Sequence, residues 1–485
     1  MKVTNFLPKN FLRVLVLIYL SLFLLANCNT ITNPDNNSES KRNQNLIALY
    51  ALGQQTEVSS SEAYSGGDTT VFITNSFSFQ SQAANMKDES KQLAFIQGHA
   101  VFTTGWVTPG STANTGLGPT FNATSCTSCH ALDGRGQPQE GTIQSSLLFR
   151  LSNAENYGDQ FNPNSIGGVD NEGTITVSYT EQAGTYPDGE TYSLRVPTYT
   201  VALANHGSVS NVLVSPRIAA QVPGLGLLEA ISEATLLAMA DENDADGDGI
   251  SGRANYVTDV ATGTTQIGRF GWKANQPNLN QQNQGAFLGD IGITSPLFST
   301  ENCPGTQASG NCGLASSTGK GIGVHEVNQL SIDVMNSYMK TIGVPGRRNW
   351  RDATVQQGKA LMVSVGCTKC HVAEITTGTL DGFEEVSNQT IRPYSDLLLH
   401  DMGDALADGR PDFLATGNEW RTPPLWGLGL VKSVNEHDTM LHDGRARGFA
   451  EAILWHGGEA ETAKNNFMNL SKTERDALVK FLESL

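Results

Sequence analysis

Two copies of one five-residue pattern constrain this chain more than anything else in it. They are Cys126-Thr127-Ser128-Cys129-His130 and Cys367-Thr368-Lys369-Cys370-His371. Paired thiols alone would suit a thioredoxin-like redox pair or a four-cysteine zinc site. Both readings leave the histidines unexplained. The chain has 9 His among 485 residues, so a chance His after both pairs is roughly a one-in-a-few-thousand event. The pattern is the attachment signature of c-type haem. Two thiols add across the two vinyl groups, the intervening residues set their separation, and the adjacent His falls under the iron. Two covalently bound haem c groups are therefore expected, one at Cys126, Cys129 and His130, the other at Cys367, Cys370 and His371.

The compartment follows from the N-terminus. Lys2, Lys9 and Arg13 precede or interrupt an apolar run from Phe11 to Ala26, shorter than a membrane span of about 20 residues. It ends in Leu25-Ala26-Asn27-Cys28, which resembles a lipobox with Asn27 in an unusual place. Residues 1–27 read as a lipoprotein signal peptide, leaving Cys28 lipidated and the protein in the cell envelope, periplasmic or anchored to the outer membrane. Residues 28–90 are polar and read as a tether. The formal net charge of −17 argues against a nucleic-acid partner and suits a basic redox donor, such as a small c-type cytochrome. Mean hydropathy of −0.25 fits a soluble globular body. Cys303 and Cys312, nine residues apart in a Gly-containing loop, read as a disulfide in an oxidising compartment.

The two motifs are separated by 236 residues, whereas a minimal domain of this kind needs about 100. The expected fold is mainly α with some β, in two cytochrome c-like haem domains. The first, 91–345, is enlarged by a β-hairpin and long loops; the second, 346–485, is smaller. The turn-rich basic stretch Val344–Arg348 marks the boundary. Residues 174–179 alternate like a strand, Pro187-Asp188-Gly189 signals a turn, and 191–201 would return. Residues 328–342 have the apolar spacing of a packed helix. In the second domain a helix over about 355–365 runs into the haem motif. A last helix opens at Ser471-Lys472-Thr473-Glu474, a capping box. No internal repeat is evident beyond the two motifs.

The sequence resembles the di-haem oxidoreductase family, often labelled thiol oxidoreductase and related to bacterial di-haem cytochrome c peroxidases. The resemblance covers about residues 91–485. Its marks in the first part are Gly116–Asn122, Asp133–Pro138, Ser215-Pro216-Arg217, Gly224–Ile231 and Gly268–Lys273. In the second they are His400–Gly403, Glu419–Trp426, His442–Arg445 and Trp455–Glu459. The resemblance implies one electron-transfer haem with two protein ligands and one haem that opens to peroxide. Aligned on the peroxidases, His456 takes the distal-ligand place of the second haem, where Met is usual. That departure lowers the expected potential; Met402 is the rival ligand. The thiol label has little support, because the Cys-x-x-Cys sulfurs are tied to haem.

Other residues are candidates by chemistry. Glu229, an acid in an apolar Gly-rich run, is the candidate general acid/base for peroxide cleavage. Arg217 would bind a propionate, stabilise developing charge or form a plain ion pair. Trp272 is a candidate relay or packing partner between the haems. His400 and His442 each precede an Asp, which suggests a structural or propionate-binding role. His99, His206 and His325 carry no mark of a ligand, so the first iron is expected open. Asp244, Asp246 and Asp248 followed by Gly249 resemble the start of a calcium loop, although Asn255 replaces the Glu of an EF-hand. The leading expectation is an enzyme: an exported di-haem oxidoreductase in which the second haem relays electrons to the first. There peroxide is reduced, or a small or protein substrate is oxidised, through a high-valent iron. The alternative is a non-catalytic electron-transfer lipoprotein. A role in envelope iron or haem handling is disfavoured by covalent attachment.

Overall fold

A computed structural model describes residues 59–108, 115–142, 146–316 and 325–485. The expected signal peptide, Cys28 and the first part of the expected tether lie outside the described residues. The elements that position the sites are helices α1 (Glu89–Thr103), α2 (Leu225–Glu229), α3 (Gln329–Thr341), α4 (Ala353–Ser364), α5 (Gly448–Leu454) and α6 (Lys472–Ser484). With them go strands β1 (Leu147–Ser152), β2 (Gly173–Thr185), β3 (Thr191–Leu203), β4 (Leu213–Ile218), β5 (Leu399–Asp401) and β6 (Glu419–Arg421).

Each motif is bracketed in sequence by two helices that cross at a glycine. Asp88 caps α1 by accepting from the backbone N–H groups of Ser90 and Lys91, which satisfies donors a helix start leaves open. The helix then crosses α3 at Gly98, where a Cβ would lie 2.1 Å from the Val334 carbonyl oxygen. Asp352 caps α4 in the same way. That helix crosses α6 at Gly358, where a Cβ would lie 1.9 Å from the Ala477 carbonyl oxygen. Only glycine permits backbones to approach this closely. The capping box at Ser471 and Glu474 starts α6 as the sequence predicts. The α4–α6 crossing is legible in the sequence; its counterpart, α1 on α3, is a second internal repeat that the sequence reading misses.

The predicted hairpin is β2–β3, longer than expected. It is paired from Gly173↔Leu203 to Thr185↔Thr191 around the Pro187-Asp188-Gly189 turn. Its tip reaches the second half of the chain. The Arg475 guanidinium, from α6, bonds Asp188 at 2.6 Å and Glu190 at 2.7 Å and lies 3.9 Å from the Tyr186 ring centroid. Strands β1 and β4 pair antiparallel, and β1 turns Leu147, Phe149 and Leu151 inward. Strands β5 and β6 set His400 opposite Trp420.

Two expectations about organisation need correction. Residues 60–485 form one compact unit, and 345/346 is no gap between separate cores. Trp426 of the second half donates to the Pro223 carbonyl, and another core joins Leu147 and Phe149 to Trp420 and Trp455. The basic stretch at the boundary is tied down instead of solvated: Val344 is fully buried, and Arg347 is buried against Glu62 and Ser484. The tether, too, ends earlier than residue 90. Phe79, Ala83 and Met86 are buried, and the Val71 and Ala83 amides bond the carbonyls of Val344 and Thr341. Backbone pairing and buried hydroxyls hold this polar stretch, which hydrophobic periodicity alone could not reveal.

Candidate cofactor and redox site

The two motifs share one local geometry. Each begins with a short 3-10 turn, Cys126–Ser128 or Cys367–Lys369, and the following His amide bonds back to the first Cys carbonyl. All four cysteines are half-buried. Burial pushes Cys126 and Cys367 up to about 12 and raises Cys129 and Cys370 as well. A thioredoxin-type pair needs a lowered thiol pKa, so the environment disfavours that use.

His130 Nδ1 lies 2.7 Å from the Ala220 carbonyl oxygen, and His371 Nδ1 lies 2.9 Å from that of Tyr394. A carbonyl only accepts, so each Nδ1 carries the proton and each Nε2 keeps its lone pair for a metal. Burial lowers both pKa values, His371 to about 4, which favours the neutral ligand form. His456 repeats the arrangement. It follows α5, its Nδ1 bonds the Ala452 carbonyl at 2.8 Å, and burial lowers its pKa.

A cavity of about 230 Å³ brings together Cys367, Cys370, His371, His456 and Met402. Most of the wall is apolar, with Leu425, Phe449, Ile453 and Leu482 among it. The same cavity reaches Ala220, whose carbonyl orients His130, and Trp272. Two polar wall atoms, Arg135 Nε and Gln221 Oε1, are buried without a protein partner. An apolar cavity with two imidazole nitrogens and orphaned polar atoms at its edge fits a large flat metal-bearing group with acidic substituents, such as haem.

His400 is no ligand. Its Nδ1 lies 2.7 Å from Glu459 and its Nε2 lies 2.8 Å from Asp396, all largely buried. Burial alone would depress its pKa, but hydrogen bonds to Asp396, Cys370 and Glu459 push it up to about 12. His442 takes the opposite state. It stacks on Trp420 with centroids 3.7 Å apart and planes at 11°, and burial pushes its pKa down to about 3. Asp443, 3.8 Å away, is turned to Arg445 and Tyr199 and does not orient the ring. His437, outwardly a loop residue, is buried and bonds the Arg135 carbonyl. His99 and His206 are packed against Tyr338 and Tyr157, each with a buried Nε2 lacking a partner.

The predicted acid/base group is engaged elsewhere. Glu229, at the end of α2, pairs with Lys340 at 2.8 Å and accepts from the Leu279 amide at 3.0 Å. Arg217 is the plain ion pair, bound to Asp412 at 2.8 Å and to Ser215 at 3.1 Å and buried there. Asp290 is the acid the sequence reading misses. It lies in a π-helical turn, Phe287–Ile291, and burial raises its pKa. Its charge bears on both Cys126 and Cys129, and Gln160 donates to it at 2.7 Å. Trp272 is nearly buried, donates to the Ile218 carbonyl and lies under Arg135, 5.3 Å from ring centroid to guanidinium. The predicted calcium trio is rearranged. Asp241, Asp244 and Asp246 bring carboxylate oxygens within 4.8 Å of one another, while Asp248 pairs with Lys369 of the second motif.

The family described as "Di-haem oxidoreductase, putative peroxidase" matches residues 59–154 and 144–485. The chain belongs to this family. Haem is therefore the cofactor class of this di-haem oxidoreductase, in agreement with the sequence resemblance. No curated protein matches the chain. Among solved structures, hydrazine synthase from Kuenenia stuttgartiensis, pressurised with xenon, is similar at 19% identity and a TM-score of 0.22. That likeness covers 33% of this chain and 57% of the other, and nothing below rests on it. Among the described residues, no helix is long and apolar enough to cross a membrane.

Proposed function

We propose that this di-haem oxidoreductase is an exported lipoprotein that reduces peroxide at its first haem with electrons relayed through its second. The observation that carries the reading is the repeated pairing of two half-buried thiols with a His whose Nδ1 is fixed by a carbonyl. Haem joined covalently at both motifs would supply one-electron chemistry and, where a coordination position is open, peroxide reduction. His371 and His456 share one cavity with free Nε2 atoms, which supports a closed second site that only passes electrons. The overall reaction takes one peroxide, two electrons and two protons to two waters. A small c-type cytochrome or similar donor supplies the electrons, and the negative net charge favours a basic one.

The proton chemistry supports placing peroxide at the first site. Cleavage requires a group that holds and returns a proton near neutral pH. Asp290 is half-buried, its charge bears on both thiols of the first pair, and desolvation raises its pKa, the direction a proton-holding carboxyl requires. The acids nearest the second pair, Asp396 and Glu459, are instead held by His400. Trp272, between Arg135 and the Ile218 carbonyl, is the aromatic candidate for the relay. The disulfide between Cys303 and Cys312 supports an oxidising compartment, and Cys28 would carry the lipid. Calcium belongs to the reading at Asp241, Asp244 and Asp246 in place of Asp248.

The full chain, isolated from a cell-envelope fraction, tests this. Haem should remain on the polypeptide in a denaturing gel at two groups per chain, and peroxide should oxidise a reduced small cytochrome c only when the protein is present. Haem that leaves the denatured chain, or absence of peroxide turnover by fully loaded protein, would overturn the reading.

A further inference from the structure

Most buried arginines in this fold pair with a carboxylate, and two on the cavity wall do not. Arg217 and Arg410 share Asp412, and Arg445 has Asp443. Arg269 has no carboxylate, but its guanidinium turns to the carbonyls of Leu228, Glu229 and Ile231. Arg135 and Arg421 also lack a carboxylate partner, and they differ from Arg269 in facing the cavity. They are 4% and 8% exposed, and both line the cavity that holds His371 and His456. Neither has a carboxylate within 4 Å among the described residues. Arg135 donates from one terminal nitrogen to the Leu441 carbonyl, and its Nε is buried without a partner. Arg421 donates to the carbonyls of Gly271 and Thr422 only. Desolvation lowers the pKa of both to about 10. Asp443 and Asp396 act on these arginines only from beyond 4 Å, and a buried charge without a close counterion is unfavourable, so the cavity suits a ligand that brings negative charge.

The geometry points to Arg135 and Arg421 as the binding site for the propionate carboxylates of the second haem, with Arg135 contributed by the loop of the first motif. This rests on the covalent-haem reading above. Arginine suits the task, because its planar fork matches a carboxylate with two parallel hydrogen bonds. The cavity is mainly apolar on the His371 and His456 side, where Lys464 already pairs with Glu461, so its anion must be attached to an apolar body. Arg135 follows His130 by five residues, and its carbonyl is held by His437 of the second half. It also lies over Trp272. One side chain from the first motif would thereby set the electrostatics of the second haem. A nearby positive charge favours the reduced state, which is less positive by one unit, so these arginines raise the second haem's potential against the lowering expected from two histidine ligands.

The test is a potentiometric titration of full-length loaded protein, followed at both haems, for wild type, Arg135→Gln, Arg135→Lys and Arg421→Gln. Both Gln variants should lower the second haem's midpoint potential, and Arg135→Lys should lie between Arg135→Gln and wild type. In Arg135→Gln the potential should also gain a pH dependence near neutrality, because the freed carboxylate then titrates. Unchanged potentials at wild-type haem content in both Gln variants would overturn the inference. Where a Gln variant does not fold, the wild-type redox-difference infrared spectrum of protein carrying haem labelled with 13C at the propionate carboxyls decides: ionised propionates throughout the neutral range are expected, and a protonated carboxylic acid band that shifts with the label overturns it. Absence of covalent haem in the wild type would instead refute the reading on which this one rests.

Discussion

Replacing His400 by Gln removes the cation from a buried carboxylate–imidazolium–carboxylate array. Its three side chains are 3%, 3% and 13% exposed for His400, Asp396 and Glu459. Two carboxylates would then face a neutral amide, and breaking a buried pair in this way costs about 3–5 kcal/mol. The pH dependence is more diagnostic than the size. The folded-state pKa of His400 is raised from 6.5 to about 12. Its contribution is therefore fully present below about pH 6.5 and is lost progressively as pH rises toward the folded value. Between pH 7 and 9 the unfolded chain has released this proton and the folded one has kept it. Wild-type stability should fall by about 1.4 kcal/mol per pH unit from this group alone. His400→Gln has no such proton. Urea unfolding of both proteins, followed by far-ultraviolet circular dichroism at pH 7, 8 and 9, should show a gap that narrows by about 2.5 kcal/mol. Other groups titrate in both proteins and cancel in the difference. Parallel pH profiles would refute the doubly paired imidazolium.

Three further outcomes follow from the sites. His456→Ala should convert the second haem from low-spin to high-spin at unchanged haem content; a retained low-spin spectrum would assign the sixth ligand to another residue such as Met402. Asp290→Asn should reduce peroxide turnover about 10²- to 10⁴-fold with intact haem spectra, and turnover within twofold of wild type would remove Asp290 from proton transfer. Gly358→Ala should destabilise the fold by about 1–3 kcal/mol or more, because its Cβ would meet the Ala477 carbonyl oxygen at 1.9 Å. An unchanged melting temperature would mean that α4 and α6 separate at little cost.

What was legible in the sequence was local. The Cys-x-x-Cys-His spacing, the Ser471–Glu474 box and the Pro-Asp-Gly turn each write their chemistry into a few adjacent residues. The first helix crossing was hidden because α1 carries apolar residues on both faces: Phe95 and Phe102 are buried while Leu93 and Ile96 are exposed, which blurs the helical period. The choice of Glu229 failed for a related reason. An acid in an apolar Gly-rich run is a sound signal, but its neutralising partner, Lys340, comes from α3, a distant segment. Asp290 bears the same signal in Phe287-Leu288-Gly289-Asp290-Ile291 and, among the described residues, has no cation within 4 Å, Arg150 acting on it only from farther away. Asp248 looked equivalent to its two neighbours until folding brought Lys369 against it and Asp241 into its place.

The central claim is a division of labour, with one site closed by two histidines and one left open to peroxide. Low-temperature electron paramagnetic resonance tests it most directly, on the purified ferric protein and again after one-electron reduction, with the high-spin and low-spin signals integrated. The account predicts one low-spin haem with two histidine ligands, lost when His456 is replaced, and a high-spin haem in at least one of the two states. Two low-spin haems in both states would contradict it and leave a protein that only transfers electrons.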